Sequence, residues 1–240
     1  PPLVSGRAEE LAQYTNNANG WTVKKIERTP FVSRPVSASS QSTYPTTDQS
    51  LTAPLKNIRL TLADGKGLGE ASAKEGSLEF ENSCTEKKSG AVAFCVIDLR
   101  WPGDIAANFA TSTVLYEGTK SIVRYDEGIA TYYQTLFQTE SFAAIVDYFT
   151  AQYGPPTTTI ERSIAPLASP RKSNPTVLWR SAAPVTGLLT TLEIRTFDDS
   201  RGSFPDTKRG AVLLYNQWSQ PVFPDISTLE LMMLGVDNQR

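Results

Sequence analysis

Histidine is absent from all 240 residues, and no other feature of the chain excludes so much chemistry. Ser-His-Asp and Cys-His arrangements cannot be built, histidine-bearing zinc and haem sites cannot be built, and the commonest general base at neutral pH is missing. An enzyme on this chain would work with carboxylates, lysine or tyrosine. Cysteine is nearly absent too: Cys84 and Cys95 are the whole complement, which leaves zinc short of ligands. No apolar run reaches the roughly 18 to 20 residues of a membrane helix; the longest candidate, 226–236, is shorter and carries Glu230. The sequence therefore predicts no transmembrane segment and leaves peripheral membrane association open. Excess charge of either sign is also lacking. A net charge of −2 supplies no field that would gather nucleic acid or anionic lipid. Lys24, Lys25, Arg28 and Arg34 form a local basic cluster beside Trp21 and Phe31, but no single-strand-binding signature accompanies it. Nucleic acid is not an expected partner, and no cofactor motif is present. The segment Gly65-Lys66-Gly67-Leu68-Gly69 lacks both the dinucleotide and the Walker spacing and reads as a flexible turn.

What is there is an ordinary core-forming composition, 40% hydrophobic and 20% charged. The strongest local signal is 139–153, where Phe142, Ile145, Val146, Phe149 and Tyr153 recur at helical spacing on one face. Thr139 is the expected N-cap, with Glu140 at the positive end of the helix dipole. Gly154, followed by Pro155 and Pro156, supplies the stop. Three short runs precede the helix, 113–116, 121–125 and 129–137, parted by glycine-bearing gaps, and 157–160 follows it. The pattern predicts a β-β-β-α-β unit around an antiparallel meander.

Upstream, 7–14 reads as a short helix and 21–27 as a strand. The stretch 29–54 is rich in Ser, Thr and Pro, too poor in apolar surface to order itself, and is read as an arm, a partner-bound strap or a linker. Strands are expected from 57, with Ile58, Leu60 and Leu62 on one side, again at Leu78 and Phe80, and at 91–99. Cys84 and Cys95 are expected to pair across a hairpin as a disulfide; two buried thiols are the alternative. Past the central unit, 176–180, 189–197 and 210–215 read as strands. In the tail, 221–224 should be extended, and Ser227 with Glu230 has capping-box spacing before a short helix. That helix either docks on its own domain or offers Met232 and Met233 to a partner. Asp126 with Glu127 and Asp198 with Asp199 are the only adjacent acid pairs at turns and read as solvated turn residues, not as a glycosidase pair.

The expected fold is α+β: mainly antiparallel sheet with one central amphipathic helix at 139–153 packed on it, an extended N-terminal arm and a C-terminal tail. The organisation follows as an arm over 1–54, a core over 55–217 and a tail over 218–240. The chain opens on Pro1-Pro2 with no methionine, which fits a protein exported to the periplasm or extracellular space after loss of its signal, and equally a trimmed chain. Two functional classes follow. One is a non-enzymatic interaction or accessory subunit that holds protein partners through the arm and the tail, with Trp21, Phe31, Arg34, Trp218, Phe223, Met232 and Met233 as anchors. The other is an envelope ligand-binding or carboxylate-dependent hydrolytic protein. Its pocket would lie between sheet and helix, lined by Tyr132, Tyr133, Trp179 and the 162–172 loop.

Overall fold

The structure is a computed structural model that describes residues 57–182, 188–202 and 204–236, with residues 235 and 236 described by backbone alone, and the backbone of 14–17 and 20–23. The chain divides into two units, Pro1–Thr47 and Asp48–Arg240. In the first, β1 (Tyr14–Asn17) and β2 (Gly20–Val23) form an antiparallel hairpin. Tyr14 is thus in a strand, not at the end of a helix; the remainder of the expected 7–14 helix and the whole 29–54 segment, Phe31 and Arg34 included, lie outside the described residues.

The second unit is built on one eight-stranded antiparallel sheet. Its strands are β3 (Cys84–Lys87), β4 (Val92–Asp98), β7 (Lys120–Asp126), β8 (Ile129–Gln138), β9 (Thr158–Ile164), β10 (Lys172–Ala182), β11 (Leu189–Arg195) and β12 (Arg209–Asn216), in spatial order β3-β4-β7-β8-β12-β11-β10-β9. A two-residue pair, β5 (Thr111–Ser112) with β6 (Glu117–Gly118), stands apart from it. Glu127 and Gly128 both take positive φ in the two-residue turn joining β7 to β8, the geometry that matches the twist of a tight hairpin. After β8 the chain runs through a helix to the far edge of the sheet, and β9 to β12 fill the space back to β8.

That helix is α3 (Phe142–Tyr153), entered through a 3-10 turn at Thr139–Ser141. Gly154 closes it at φ 77°, its N–H donating to the Thr150 carbonyl at 2.8 Å. Thr139 does not cap it. Its hydroxyl instead donates to the carbonyls of Thr196 and Thr207 across the sheet end, and the tighter first turn takes up the entry. Nor is α3 the one helix. Leu78 and Phe80 lie in α1 (Leu78–Ser83), whose Ser77 hydroxyl accepts from the Phe80 N–H at 3.2 Å; two-residue spacing of apolar side chains mimicked a strand in a helix of under two turns. A second short helix, α2 (Gly103–Phe109), buries Ile105 and Phe109 one turn apart. Residues 57–62 form no strand: Leu60 and Leu62 are buried, and Thr61 is held by N–H and carbonyl on the Tyr153 hydroxyl at 3.0 and 2.9 Å. Residues 113–116 form the turn between β5 and β6, closed by the Thr113 hydroxyl accepting from the N–H groups of Leu115 and Tyr116.

Alternation along the strands gives the sheet two buried faces. On the first, Tyr133 and Phe137 of β8, Trp179 of β10, and Leu192 and Ile194 of β11 meet Ile145 and Phe149 of α3, with Trp101 stacked on Phe109 at 3.6 Å. On the second, Phe94, Ile122, Tyr132, Leu136 and Leu213 meet Leu115, Tyr116 and the C-terminal residues Val222, Ile226 and Leu231. Cys84 and Cys95 are directly opposed on β3 and β4, Cα atoms 4.0 Å apart, and joined as the disulfide. No described helix is long and apolar enough to cross a membrane.

Candidate functional site

A polar assembly, an open groove and an apolar surface could carry function. The polar assembly draws on β9, β11, β12 and the turn that follows β11. Glu193 Oε1 accepts from Arg195 Nε at 2.7 Å and Arg162 Nη1 at 3.4 Å, and its Oε2 accepts from the Tyr215 hydroxyl at 2.6 Å. Asp199 takes the other ends of the same two guanidiniums, Arg195 at 2.5 Å and Arg162 at 3.3 Å. Two arginines and two carboxylates thus close a ring, with every carboxylate oxygen engaged. Burial works against the Arg195 charge, yet Glu193 and Asp199 hold its pKa above the ordinary value; burial beside Glu193 also pushes the Tyr215 phenol up. Neither a free base nor an activated nucleophile results, so the ring ties strands together.

Asp198, beside it, is fully buried, and its pKa is raised by that burial despite hydrogen bonds to Oδ1 from the Ser200 hydroxyl at 2.5 Å and N–H at 3.1 Å. The Asp198-Asp199 turn is therefore not a solvated pair. Asp126 is likewise engaged, gripped by Arg124 through Nε and Nη2 at 2.9 to 3.1 Å.

The expected pocket between sheet and helix is filled. Tyr133 and Trp179 belong to the first core, with the Tyr133 hydroxyl donating to the Gly67 carbonyl and the Trp179 indole to the Gly154 carbonyl. Tyr132, its neighbour on the strand, points to the opposite face and stacks on Tyr215 at 5.6 Å. An open groove of about 580 Å³ lies elsewhere, beside the disulfide, between Glu79 and Asn82 of α1, Asp98, Lys120 and Tyr125. Lys66 at its rim is paired with Glu70 at 3.1 Å, and burial pushes the Tyr125 phenol up to about 12. No group of acids or cysteines that could hold a metal occurs among the described residues.

The apolar surface is the C-terminal segment. Arg124, buried on β7 under the Phe94 ring at 5.6 Å, donates through Nη1 to Asp225 Oδ2 at 2.8 Å and to the Pro221 carbonyl at 3.2 Å. Lys88 reaches the same Asp225 oxygen at 3.1 Å, and Lys87 pairs with Glu230. The expected capping box forms: the Ser227 hydroxyl accepts from the Glu230 N–H at 3.2 Å, and Glu230 Oε2 accepts from the Ser227 N–H at 2.9 Å. The hydrogen bond from Lys87, then those from Ser227, pull the Glu230 carboxyl down to about 2. The helix that follows is α4 (Thr228–Val236). Residues 221–224 turn instead of extending, and the Phe223–Pro224 peptide is cis.

This strap has an inner and an outer side. Val222, Ile226 and Leu231 are fully buried against the second face, with Phe223 and Leu234 half-buried beside them. Outward, Leu229 is 67% exposed, Met232 40% and Met233 61%, and Trp218 at the root of the strap is 75% exposed. Of the anchors read from sequence, Met232 and Met233 stand on this outer side, Trp218 is exposed ahead of the strap, and Phe223 is half-buried against the second face; Trp21 lies in β2, where only the backbone is described. Sequence reading missed Leu229 and the pins Arg124 and Asp225. The continuous apolar run Leu231-Met232-Met233-Leu234 is the signal that could have revealed two faces, because one core can cover only one side of a helix. Neither the family models, nor the curated proteins, nor the solved structures compared with this chain give a match.

Proposed function

We propose that this chain is a non-enzymatic accessory subunit of a larger assembly in an oxidising compartment, periplasmic or extracellular, and that a protein partner seats on the outer side of the C-terminal strap. The observation that carries the reading is the outward stripe Leu229, Met232 and Met233, at i, i+3 and i+4 on a helix that its own core, capping box and ion pairs already hold. A helix held only for packing gains nothing from a second apolar side, whereas such patches mark interaction surfaces. Thioether side chains suit an irregular partner surface. The disulfide fits an oxidising compartment. In this reading the α3 helix on the first face is the amphipathic element that braces the core, residues 55–217, while the arm over 1–54 and the tail over 218–240 do the holding. The engaged state of Glu193, Asp199 and Asp126 supports a scaffold over a hydrolase.

The two methionines of the chain are Met232 and Met233, so photo-methionine labels the strap alone. Irradiation of cells producing the labelled protein is expected to give a discrete adduct with another polypeptide, lost in Leu229→Gln/Met233→Gln. Irradiation that leaves the chain uncrosslinked overturns the reading.

A further inference from the structure

The groove of about 580 Å³ beside the disulfide has the size of a small-ligand pocket and lies on the first face of the sheet, opposite the strap. Tyr125, which lines it, is only 5% exposed. Its hydroxyl makes no hydrogen bond with any described residue and is not sealed from solvent, so it ends in the groove. A phenol buried to its tip needs a partner there, and only water or a ligand in the groove can supply one. Glu70 and Glu79 are close enough to oppose its ionisation. Glu70 is paired with Lys66, which leaves the Glu79 carboxylate to receive a cation beside that hydroxyl.

The other charged residues of the lining are unpaired too. Asp98 and Lys120 stand directly opposite each other in the β4–β7 register, yet neither they nor Glu79 form an ion pair among the described residues. Tyr125 and Lys120 are five positions apart on β7, about 17 Å at the rise of a strand. That span selects the ligand. A single amino acid covers at most about 3.6 Å, whereas about five extended residues cover the whole distance. Between the two ends run the Cys84–Cys95 disulfide and Ile97, which are uncharged and suit small apolar side chains.

We infer that the groove binds a free oligopeptide of about five residues in extended form, its α-ammonium on Glu79 and the Tyr125 hydroxyl and its α-carboxylate on Lys120. Asn82 and the Asp98 carboxylate offer acceptors to the peptide's backbone N–H groups. The strap takes no part in this site, so the seating of a protein partner there stands or falls separately.

The test titrates the full chain, disulfide intact, with pentaalanine in a calorimeter, beside its N-acetyl form, its C-terminal amide and free alanine. Pentaalanine is expected to bind, and the other three at least about tenfold more weakly. Tyr125→Phe, Glu79→Gln and Lys120→Gln should each weaken pentaalanine by about tenfold while circular dichroism and melting stay those of the parent. Glu79→Gln should also erase the penalty of N-acetylation, and Lys120→Gln that of C-terminal amidation. The opposite coupling overturns the assignment of the two ends. Alanine that binds as tightly as pentaalanine overturns the span, and pentaalanine binding untouched by the exposed-site variant Glu79→Gln and by Lys120→Gln overturns the site. Absence of pentaalanine binding overturns the inference.

Discussion

Arg124 on β7 and Asp225 in the C-terminal strap, 101 positions apart in the chain, meet at 2.8 Å through Nη1 and Oδ2, and that contact fastens the strap to the sheet. The arginine is buried while the carboxylate is about a third exposed. Asp225→Ala leaves the guanidinium partly unpaired and is expected to cost about 1 kcal/mol, at the low end for a buried donor because solvent screens the aspartate. The hydrogen bonds from Arg124 and Lys88 lower the Asp225 carboxyl; at Asp126 burial opposes ionisation, but the hydrogen bonds from Arg124 and Thr131 outweigh it. Folded values below unfolded ones mean stability that is present above about pH 4 and lost as pH falls through the folded values. Thermal melts of the parent and Asp225→Asn should differ by a constant gap from neutral pH down to that point and converge below it; a gap independent of pH would refute the account.

The Cys84–Cys95 disulfide closes a loop of sequence separation 11 at the edge of the sheet. Cys84→Ala/Cys95→Ala, or reduction of the parent, should lower the unfolding free energy by about 2–3 kcal/mol, read from the urea midpoint. An unchanged midpoint on reduction would show that the unfolded chain is not what the bond restrains.

Asp198 titrates in the opposite sense to Asp126. Burial raises its folded pKa above the unfolded value of about 3.9, so its contribution to stability is full below that value and declines as pH rises through the folded pKa. Asp198→Asn removes the charge and keeps an oxygen acceptor for Ser200 and Gln134. The variant should match the parent in acid and melt higher at neutral pH, by about 2–4 °C for each kcal/mol recovered. A variant that melts lower at every pH would assign Asp198 an essential ionised role.

Gly210 on β12 has no room for a side chain. A Cβ there would lie 2.2 Å from Phe137 Cζ and 2.7 Å from the Arg195 carbonyl oxygen. Gly210→Ala should destabilise by about 1–3 kcal/mol in denaturant titrations. Shortening the ring in Gly210→Ala/Phe137→Leu should recover less than the whole loss, since the carbonyl belongs to the backbone of the adjacent strand. Full recovery would locate the clash in the ring alone.

The features readable beforehand share one property: each is written in residues close together. Ser227 and Glu230, three apart, encode the capping box; Gly154 after a five-residue apolar face encodes the end of α3; Cys84 and Cys95 flank a loop that fits a hairpin. The misreadings at Leu78-Phe80, 57–62 and 113–116 involve segments of six residues or fewer, where helical and extended spacing coincide and the neighbour that settles the conformation, such as the Tyr153 hydroxyl on Thr61, is remote.

By itself the sequence indicated the α+β class, the central helix with its glycine stop, the pairing of Cys84 with Cys95 and the capping box of the terminal helix, because local periodicity and turn chemistry suffice for these. Only the tertiary structure decided that β9 to β12 return to β8, that Asp198 is enclosed and Asp199 ringed by two arginines, and that Arg124 reserves one side of the strap for the sheet and leaves the other to solvent. Those outcomes depend on strand order and on ion pairs between distant residues, which no short window of sequence contains.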